Sequence, residues 1–196
     1  MKGALYDAGA SPLERFGLLR MRRRAWAAVP ASGLGLEIGA GTGAAFPFHP
    51  PGARVVATDV SPGMLAHARG KPGVAGTLLV VCDAERLPFR GGIFDWAAET
   101  LAFCQVPDPE AALREIARVS RPRAPLVMLE HVRPAGWLGG VADLVSRVTV
   151  PLWGEHFDRS PDVPLARAGF EVERRAWLWR DVFLLLECLG PGRKPT

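Results

Sequence analysis

Short apolar runs alternate with amphipathic stretches over most of the chain after residue 34. Apolar runs rich in β-branched side chains are typical of buried strands, and apolar positions that recur every three or four residues are typical of helices. The pattern predicts five buried strands, at residues 35–38, 54–60, 78–82, 94–99 and 126–130. It also predicts intervening helices, among them residues 63–69 and 109–121.

Two extended segments, residues 170–180 and 182–189, follow at the C-terminal end and are joined by almost no loop. Such a short join favours an antiparallel pair, because parallel neighbours need a long crossover. Strands separated by helices instead form right-handed crossovers and a parallel sheet covered on both faces. We therefore expect a doubly wound α/β fold with a mostly parallel seven-stranded sheet that ends in an antiparallel C-terminal hairpin.

The chain has 196 residues, no internal repeat and no linker-like tract, which predicts a single domain over residues 1–196. Within it we expect a helical lid at residues 1–30 and an insert on the substrate side at residues 134–165. Apolar residues make up 48% of the chain and charged residues 22%, a globular composition. Neither an apolar run of about 18 residues nor a signal-peptide core is found, so we expect a cytoplasmic protein.

The remaining composition argues against several kinds of site. Cys82, Cys104 and Cys188 form no CxxC pair and are interpreted as small buried apolar residues. No group of His, Cys, Asp and Glu has metal-ligand spacing, so we predict no metal, and His49 and His67 are interpreted as surface residues. The net charge of +4 is modest. The sequence has neither the Asn/Asp-Pro-Pro-aromatic motif that binds a flipped base nor a distributed basic groove, so no nucleic-acid partner is expected.

The segment LEIGAGTG, residues 36–43, carries the strongest chemical signal. A predicted strand ends there in Gly39, Gly41 and Gly43, which let the backbone turn tightly and let a ligand approach closely. Gly39, Gly41 and Ala44 also fit the dinucleotide-binding fingerprint, so a nicotinamide enzyme remains an alternative at this point.

Two acidic residues end the next two predicted strands. Asp59 lies sixteen residues after Gly43, where a carboxylate can accept hydrogen bonds from both hydroxyls of a ribose. Asp83 ends the following strand, where its carboxylate can accept from an adenine amino group. Because the carboxyl ends of parallel strands meet at one sheet edge, we expect both residues and the glycine loop to form one site.

The succession LEIGAGTG, VVATDVSPGMLAHAR, CDAERLPF, FDWAAETLAF and LREIARVSRPRAPLVMLEHV resembles class I S-adenosylmethionine-dependent methyltransferases. It is most similar to the branch with ubiquinone/menaquinone methyltransferases and small bacterial phosphatidylethanolamine N-methyltransferases. The resemblance covers about residues 6–133 and implies a Rossmann-like fold with S-adenosyl-L-methionine as cofactor. Residues 121–123 depart from the usual proline-glycine turn, and residues 153–157 have no counterpart.

The resemblance also implies roles for individual residues. Glu37 and the backbone of the three glycines would hold the methionine part of the cofactor, and Asp59 its ribose. Val60 and Met64 would flank the adenine, whereas Asp83 and Ala84 would bind its edge. Glu99 would border both cofactor and substrate. The residues with implied cofactor contacts are Glu37, Gly39, Gly41, Gly43, Asp59, Val60, Met64, Asp83, Ala84 and Glu99.

Methyl transfer needs a deprotonated nucleophile, and a nearby His or carboxylate can take the proton. Tyr6, Glu99 and His131 are the candidate catalytic residues, with His156 as a weaker one. Tyr6-Asp7 resembles the "YD" that precedes the first helix in this branch, and His131 follows a predicted strand.

The acceptor is expected to be lipid-like. We predict that residues 12–26 form an amphipathic helix. Its apolar stripe would contain Leu13, Phe16, Leu19 and Trp26, and its arginines would lie elsewhere on the helix. That helix is interpreted as a lid over the cofactor that can also contact anionic lipid headgroups at the inner face of the membrane. We expect methylation of the amine of phosphatidylethanolamine. The alternatives are a quinone precursor or small metabolite as acceptor, an NAD(P)-dependent oxidoreductase, and a cofactor-binding protein without catalysis.

Overall fold

A seven-stranded mixed sheet forms the centre of the computed structural model, which describes residues 17–153, 156–179 and 181–192. The strands are β1 (Ser32–Ile38), β2 (Gly52–Asp59), β3 (Thr77–Val81), β4 (Trp96–Thr100), β5 (Pro125–His131), β6 (Glu171–Trp179) and β7 (Phe183–Leu189). Their order in the sheet is β3-β2-β1-β4-β5-β7-β6. The first five are parallel, and β7 is antiparallel to both of its neighbours. The predicted α/β fold with a C-terminal antiparallel hairpin is therefore confirmed.

The fourth strand begins later than the pattern predicts. Phe94 is fully buried in the core but pairs only with Ser120, through an isolated parallel bridge. The ring of Phe94 packs edge-on against the ring of Phe89, with centroids 5.2 Å apart. Phe94 is thus an apolar core residue that precedes the strand, and it lengthens the apolar run from which the strand was predicted.

Within the described ranges, five helices connect or flank the strands: α1 (Leu19–Trp26), α2 (Pro62–Ala68), α3 (Pro109–Val119), α4 (Gly136–Trp153) and α5 (Asp162–Arg167). Short 3₁₀ turns cover Phe46–Phe48 and Phe103–Gln105. Helices α2 and α3 both begin with an N-cap side chain. The Ser61 side chain accepts a hydrogen bond from Met64 N, and the Asp108 side chain accepts one from Ala111 N. In each case a proline follows at the first helical position, where its missing N–H leaves no bond unmade.

The sheet buries a core on each face. Leu113, Ile116 and Val119 of α3 pack with Leu36, Ile38, Met128 and Leu184 on one face, where Leu165 of α5 joins them. Ala25 and Trp26 of α1 pack with Trp96, Ala98, Leu129 and Leu185 on the other. Strand residues that alternate between the two faces thus contribute to different cores, as expected for a sheet covered on both sides.

The structure corrects the prediction for the N-terminal helix. Leu13 and Phe16 lie outside the described residues, and Leu19, predicted for the apolar stripe, is 51% exposed. The buried face of α1 instead contains Arg22, together with Ala25 and Trp26. Arg22 is only 7% exposed because its guanidinium donates to the Thr100 hydroxyl at 2.8 Å, at the carboxyl end of β4.

The predicted insert forms α4 and the segment that leads to α5. One side of α4 exposes a stripe of large apolar residues, Trp137, Val141, Leu144, Val145 and Val148. Among the described residues, no helix combines the length and the apolar character that crossing a membrane requires.

Candidate functional site

A cavity of about 360 Å³, the first cavity, opens at the carboxyl ends of β1, β2 and β3. Ligands bind at this edge in open α/β sheets. The loop after β4 closes its far wall with Leu101, Ala102 and residues 105–107. Seven of the residues predicted to bind a cofactor line this cavity: Gly39, Gly41, Asp59, Val60, Met64, Asp83 and Ala84.

The glycines of the loop have positive φ angles but different spatial roles. A Cβ on Gly39 would lie 2.2 Å from the Cβ of Ala102, and a Cβ on Gly43 would lie 2.7 Å from the Phe46 ring. These two glycines therefore allow close packing within the protein. A Cβ on Gly41 would have no neighbour nearer than 4.0 Å, so this residue leaves its backbone open to the cavity. Gly43 itself is not among the lining residues.

Asp59 joins the end of β2 to the glycine loop. Its Oδ2 accepts from Gly41 N at 2.8 Å, and its Oδ1 accepts from Ser61 N at 2.8 Å. Two carboxylate oxygens accept about four hydrogen bonds, so capacity remains for two ligand hydroxyls. Asp83 is exposed, and its Oδ1 accepts from Glu85 N at 2.9 Å. Both acids thus lie in the first cavity with acceptor capacity left.

Glu37 and His49 form a buried pair away from the first cavity. The Glu37 Oε2 lies 2.9 Å from His49 Nε2, and His49 Nδ1 lies 3.2 Å from the Thr77 hydroxyl. The imidazole packs against the rings of Trp26 and Phe46, with centroids 4.5 and 5.1 Å away. The prediction that His49 is a surface residue is wrong, because its side chain is only 8% exposed. Glu37 does not line the first cavity.

Glu99 and Glu130 form a buried carboxyl pair at the carboxyl ends of β4 and β5. Glu99 Oε2 accepts from Ala102 N at 3.2 Å, and Glu130 Oε1 accepts from Phe103 N at 2.8 Å. Burial, and then the facing Glu130, raise the pKa of Glu99 well above its usual range. Burial likewise raises the pKa of Glu130 to about 7. Like charges this close do not both ionise readily, so the pair tends to hold a proton near neutral pH.

A second cavity, of about 310 Å³, lies on the other side of the loop after β4. Phe103 and Cys104 line it from that loop, Met128, Glu130 and His131 from β5, and further residues come from α3, α5 and the segment before α5. Sequence reasoning missed Glu130 as a candidate, although an acid within a predicted buried strand is a usable signal.

The candidate bases from the sequence occupy different surroundings. His131 is buried and its ring stacks on Phe157 at 4.4 Å, and burial lowers the pKa of His131 to about 4. His156 also lines the second cavity and lies 3.4 Å from Asp158. Tyr6 lies outside the described residues. Atoms of Cys104, Glu130 and His131 lie within 4.8 Å of one another, a proximity that their spacing in the chain did not indicate.

Comparison with known proteins connects the first cavity to a family. Residues 36–128 match the family model "Methyltransferase domain". The chain is 40% identical over 125 residues to a demethylmenaquinone methyltransferase of Mycolicibacterium paratuberculosis, covering 59% of this chain and 52% of that relative. It is 30% identical over 152 residues to the thiol S-methyltransferase TMT1B of Rattus norvegicus, covering 72% and 62%. The chain thus spans about half to three fifths of the length of these two relatives.

Solved structures show the same fold. A SAM-dependent methyltransferase from Mesorhizobium loti superposes with a TM-score of 0.66 at 22% identity, covering 85% of this chain and 95% of that one. A chain in the Haloferax volcanii complex of the Trm112 methyltransferase activator with a methyltransferase superposes with a TM-score of 0.78 at 18% identity, covering 98% and 96%.

Proposed function

We propose, from the premise that this chain belongs to the class I S-adenosylmethionine-dependent methyltransferases, that it transfers a methyl group from this cofactor to a small-molecule acceptor. The observation that carries the proposal is the first cavity, where the glycine loop, Asp59 and Asp83 converge from three successive strand ends. Membership of this family also removes the reason to retain a nicotinamide enzyme as the alternative.

The residues of the first cavity fit the cofactor. The open backbone at Gly41 leaves room for its amino-acid portion, and the Asp59 carboxylate has capacity for the two ribose hydroxyls. Asp83 and Ala84 would contact the adenine edge, while Met64 and Val60 supply apolar surface. When bound, the cofactor supplies a methyl group activated by a sulfonium charge. The protein's part is then to orient the acceptor, exclude water and receive a proton.

Glu37 and Glu99 support the first cavity from behind in this proposal. Glu37 is bound to His49, and its strand continues directly into the glycine loop, so the pair fixes the base of that loop. Glu99 holds Ala102 N, and Ala102 both lines the first cavity and packs on Gly39. We assign both carboxyl groups to positioning the loops that contact the cofactor.

The acceptor that we propose is apolar. Two of the relatives are named for demethylmenaquinone, an apolar quinone, and for thiols, whose S–H group must lose a proton, and both names support a largely apolar acceptor. The finer expectation from the sequence, the amine of phosphatidylethanolamine, remains a second acceptor to test. It is favoured by the exposed Arg23 and Arg24 on α1, which are available to an anionic lipid surface, whereas Arg22 is buried.

Calorimetry and a labelled-methyl assay test the proposal. We expect S-adenosylmethionine to bind and to raise the melting temperature, whereas NADP should not, because a ligand that binds only the native state stabilises it. The acceptor panel should contain alkyl and aryl thiols, quinols, small amines and phosphatidylethanolamine vesicles. Stabilisation by NADP alone, or failure to bind S-adenosylmethionine, would overturn the assignment.

A further inference from the structure

The second cavity has the composition of a binding site for an apolar molecule. Phe103, Leu113, Met128, Val163 and Pro164 contribute apolar lining, and its volume of about 310 Å³ is that of a pocket for a small organic ligand. It shares the loop of residues 101–108 with the first cavity, because the residues of that loop line one cavity or the other. The molecule therefore has two adjoining cavities along one short loop.

Glu130 is the buried acid of the second cavity. Asp108 also lines this cavity but caps α3 through Ala111 N, and Glu110 pairs with Arg114 and Arg167. Glu130 is 4% exposed, its Oε1 accepts from Phe103 N at 2.8 Å, and Glu99 and the backbone of Ala102 and Cys104 also hydrogen-bond to its carboxyl group. A buried carboxyl group in a largely apolar pocket is a recurrent feature of proton-transfer sites.

We propose that the second cavity binds the methyl acceptor, an apolar molecule with an ionisable S–H or phenolic O–H group, and that the Glu130 carboxylate takes its proton. This inference rests on the proposed methyltransferase function. It gives the second cavity the role of acceptor site, which the methyltransferase function alone does not specify.

The S–H or O–H bond of the acceptor breaks, and its proton goes to the Glu130 carboxylate. The electron pair left on sulfur or oxygen forms the bond to the methyl carbon, while the methyl–sulfur bond breaks and leaves its pair on the sulfur, which becomes a neutral thioether. The proton on Glu130 is then released to solvent.

The surroundings of Glu130 decide at which pH it can act. A hydrogen bond with Glu99 on β4 lowers the pKa of Glu130 and partly offsets the effect of burial, and Arg22 on α1 lowers the pKa of Glu99. The other titratable or charged groups that line the second cavity are His131 on β5, Cys104 in the 3₁₀ turn, Asp108 and Glu110 by α3, His156 and Arg159 before α5, and Arg167 on α5. Because burial raises the pKa of Glu130 to about 7, methyl transfer should rise with pH through that region and then level off.

Glu130→Gln tests the inference directly. It keeps an amide oxygen for the Phe103 N–H and removes the proton acceptor. We expect unchanged affinity for S-adenosylmethionine, a fall in methyl transfer to an alkyl thiol or a phenol of about 100-fold or more, and loss of the rise in rate near pH 7. Glu171→Gln is the matched control, since Glu171 is an exposed acid paired with Arg123.

A pre-ionised acceptor separates proton transfer from binding. An aryl thiol with electron-withdrawing groups is ionised at neutral pH, so Glu130→Gln should retain most of its activity towards that acceptor. Val163→Trp should raise KM for thiols and phenols alike by filling the second cavity, and comparing the two acceptor types shows which one the cavity prefers. Equal activity of parent and Glu130→Gln towards the alkyl thiol and the phenol, with the same pH profile, would overturn the inference. Absence of cofactor binding by the parent protein would instead overturn the proposed function.

Discussion

The carboxyl group of Glu130 should destabilise the native protein at neutral pH, and its replacement by Gln should relieve that cost. Burial raises the pKa of this group from 4.5 to about 7 on folding. A group whose pKa is higher in the folded state than in the unfolded state contributes its full stability at pH values below its unfolded-state pKa. That contribution is lost as the pH rises through its folded-state pKa. The parent protein should therefore lose stability between pH 4.5 and about pH 8.

The size of the effect follows from the shift. At about 1.4 kcal/mol for each pKa unit, the rise to about 7 corresponds to roughly 3 kcal/mol of stability lost at alkaline pH. Gln at this position carries no charge at any of these pH values and can still accept from Phe103 N. Glu130→Gln should thus gain on the parent by roughly that amount between pH 4.5 and about pH 8.

Urea unfolding of both proteins at a series of pH values measures the difference directly. Glu171→Gln, which removes an exposed acid, should track the parent at every pH. A free-energy difference between Glu130→Gln and the parent that stays constant over this range would refute the reasoning, because it would mean that Glu130 titrates alike in the folded and unfolded chains.

Further variants test the first cavity and the exposed arginines. Asp59→Ala should weaken binding of S-adenosylmethionine by about 1.5–3 kcal/mol in calorimetry, with a smaller loss for Asp83→Ala, because a charged acceptor of hydrogen bonds is removed. Gly41→Val should abolish binding and also lower the melting temperature, since its side chain would enter the open space of the cavity from a backbone with φ of 55°, which β-branched residues rarely adopt. Replacing Arg23 and Arg24 by Gln should reduce co-sedimentation with anionic vesicles at low salt and leave cofactor affinity unchanged, and indifference of the parent to all vesicles would contradict a membrane contact.

The glycine loop and the two acids of the first cavity were predictable because they follow from the strand order. Gly41, Asp59 and Asp83 come directly after successive apolar runs, and parallel strands place their carboxyl ends at one edge. Residue spacing along the chain therefore carries most of the information about this site. The same reasoning could not find the Glu37–His49 pair, which depends on a 3₁₀ turn that folds His49 back under β1.

The location of Arg22 was likewise beyond pattern reasoning. An arginine in an amphipathic helix is normally exposed, and hydropathy assigned Arg22 to the polar side with Arg23 and Arg24. Its burial requires a partner that lies far away in sequence, the Thr100 hydroxyl. Such a contact becomes visible only when the end of β4 is placed against the helix.

The carboxyl pair shows what a buried acid within an apolar run indicates. Glu99 and Glu130 interrupt two of the most buried strands, and the register that pairs Glu99 with Met128 places both acids near the same end of neighbouring strands. The bond that Glu130 accepts from Phe103 N is one that a neutral amide could also accept, so holding the loop does not require a second ionisable group beside Glu99. An arrangement that costs stability at neutral pH, where hydrogen-bonded amides would cost less, is expected where the proton itself is used. The two acids thus connect the fold to the proposed chemistry: the same burial that destabilises the charged form raises the proton affinity of Glu130 to the range in which a base can both take and release a proton.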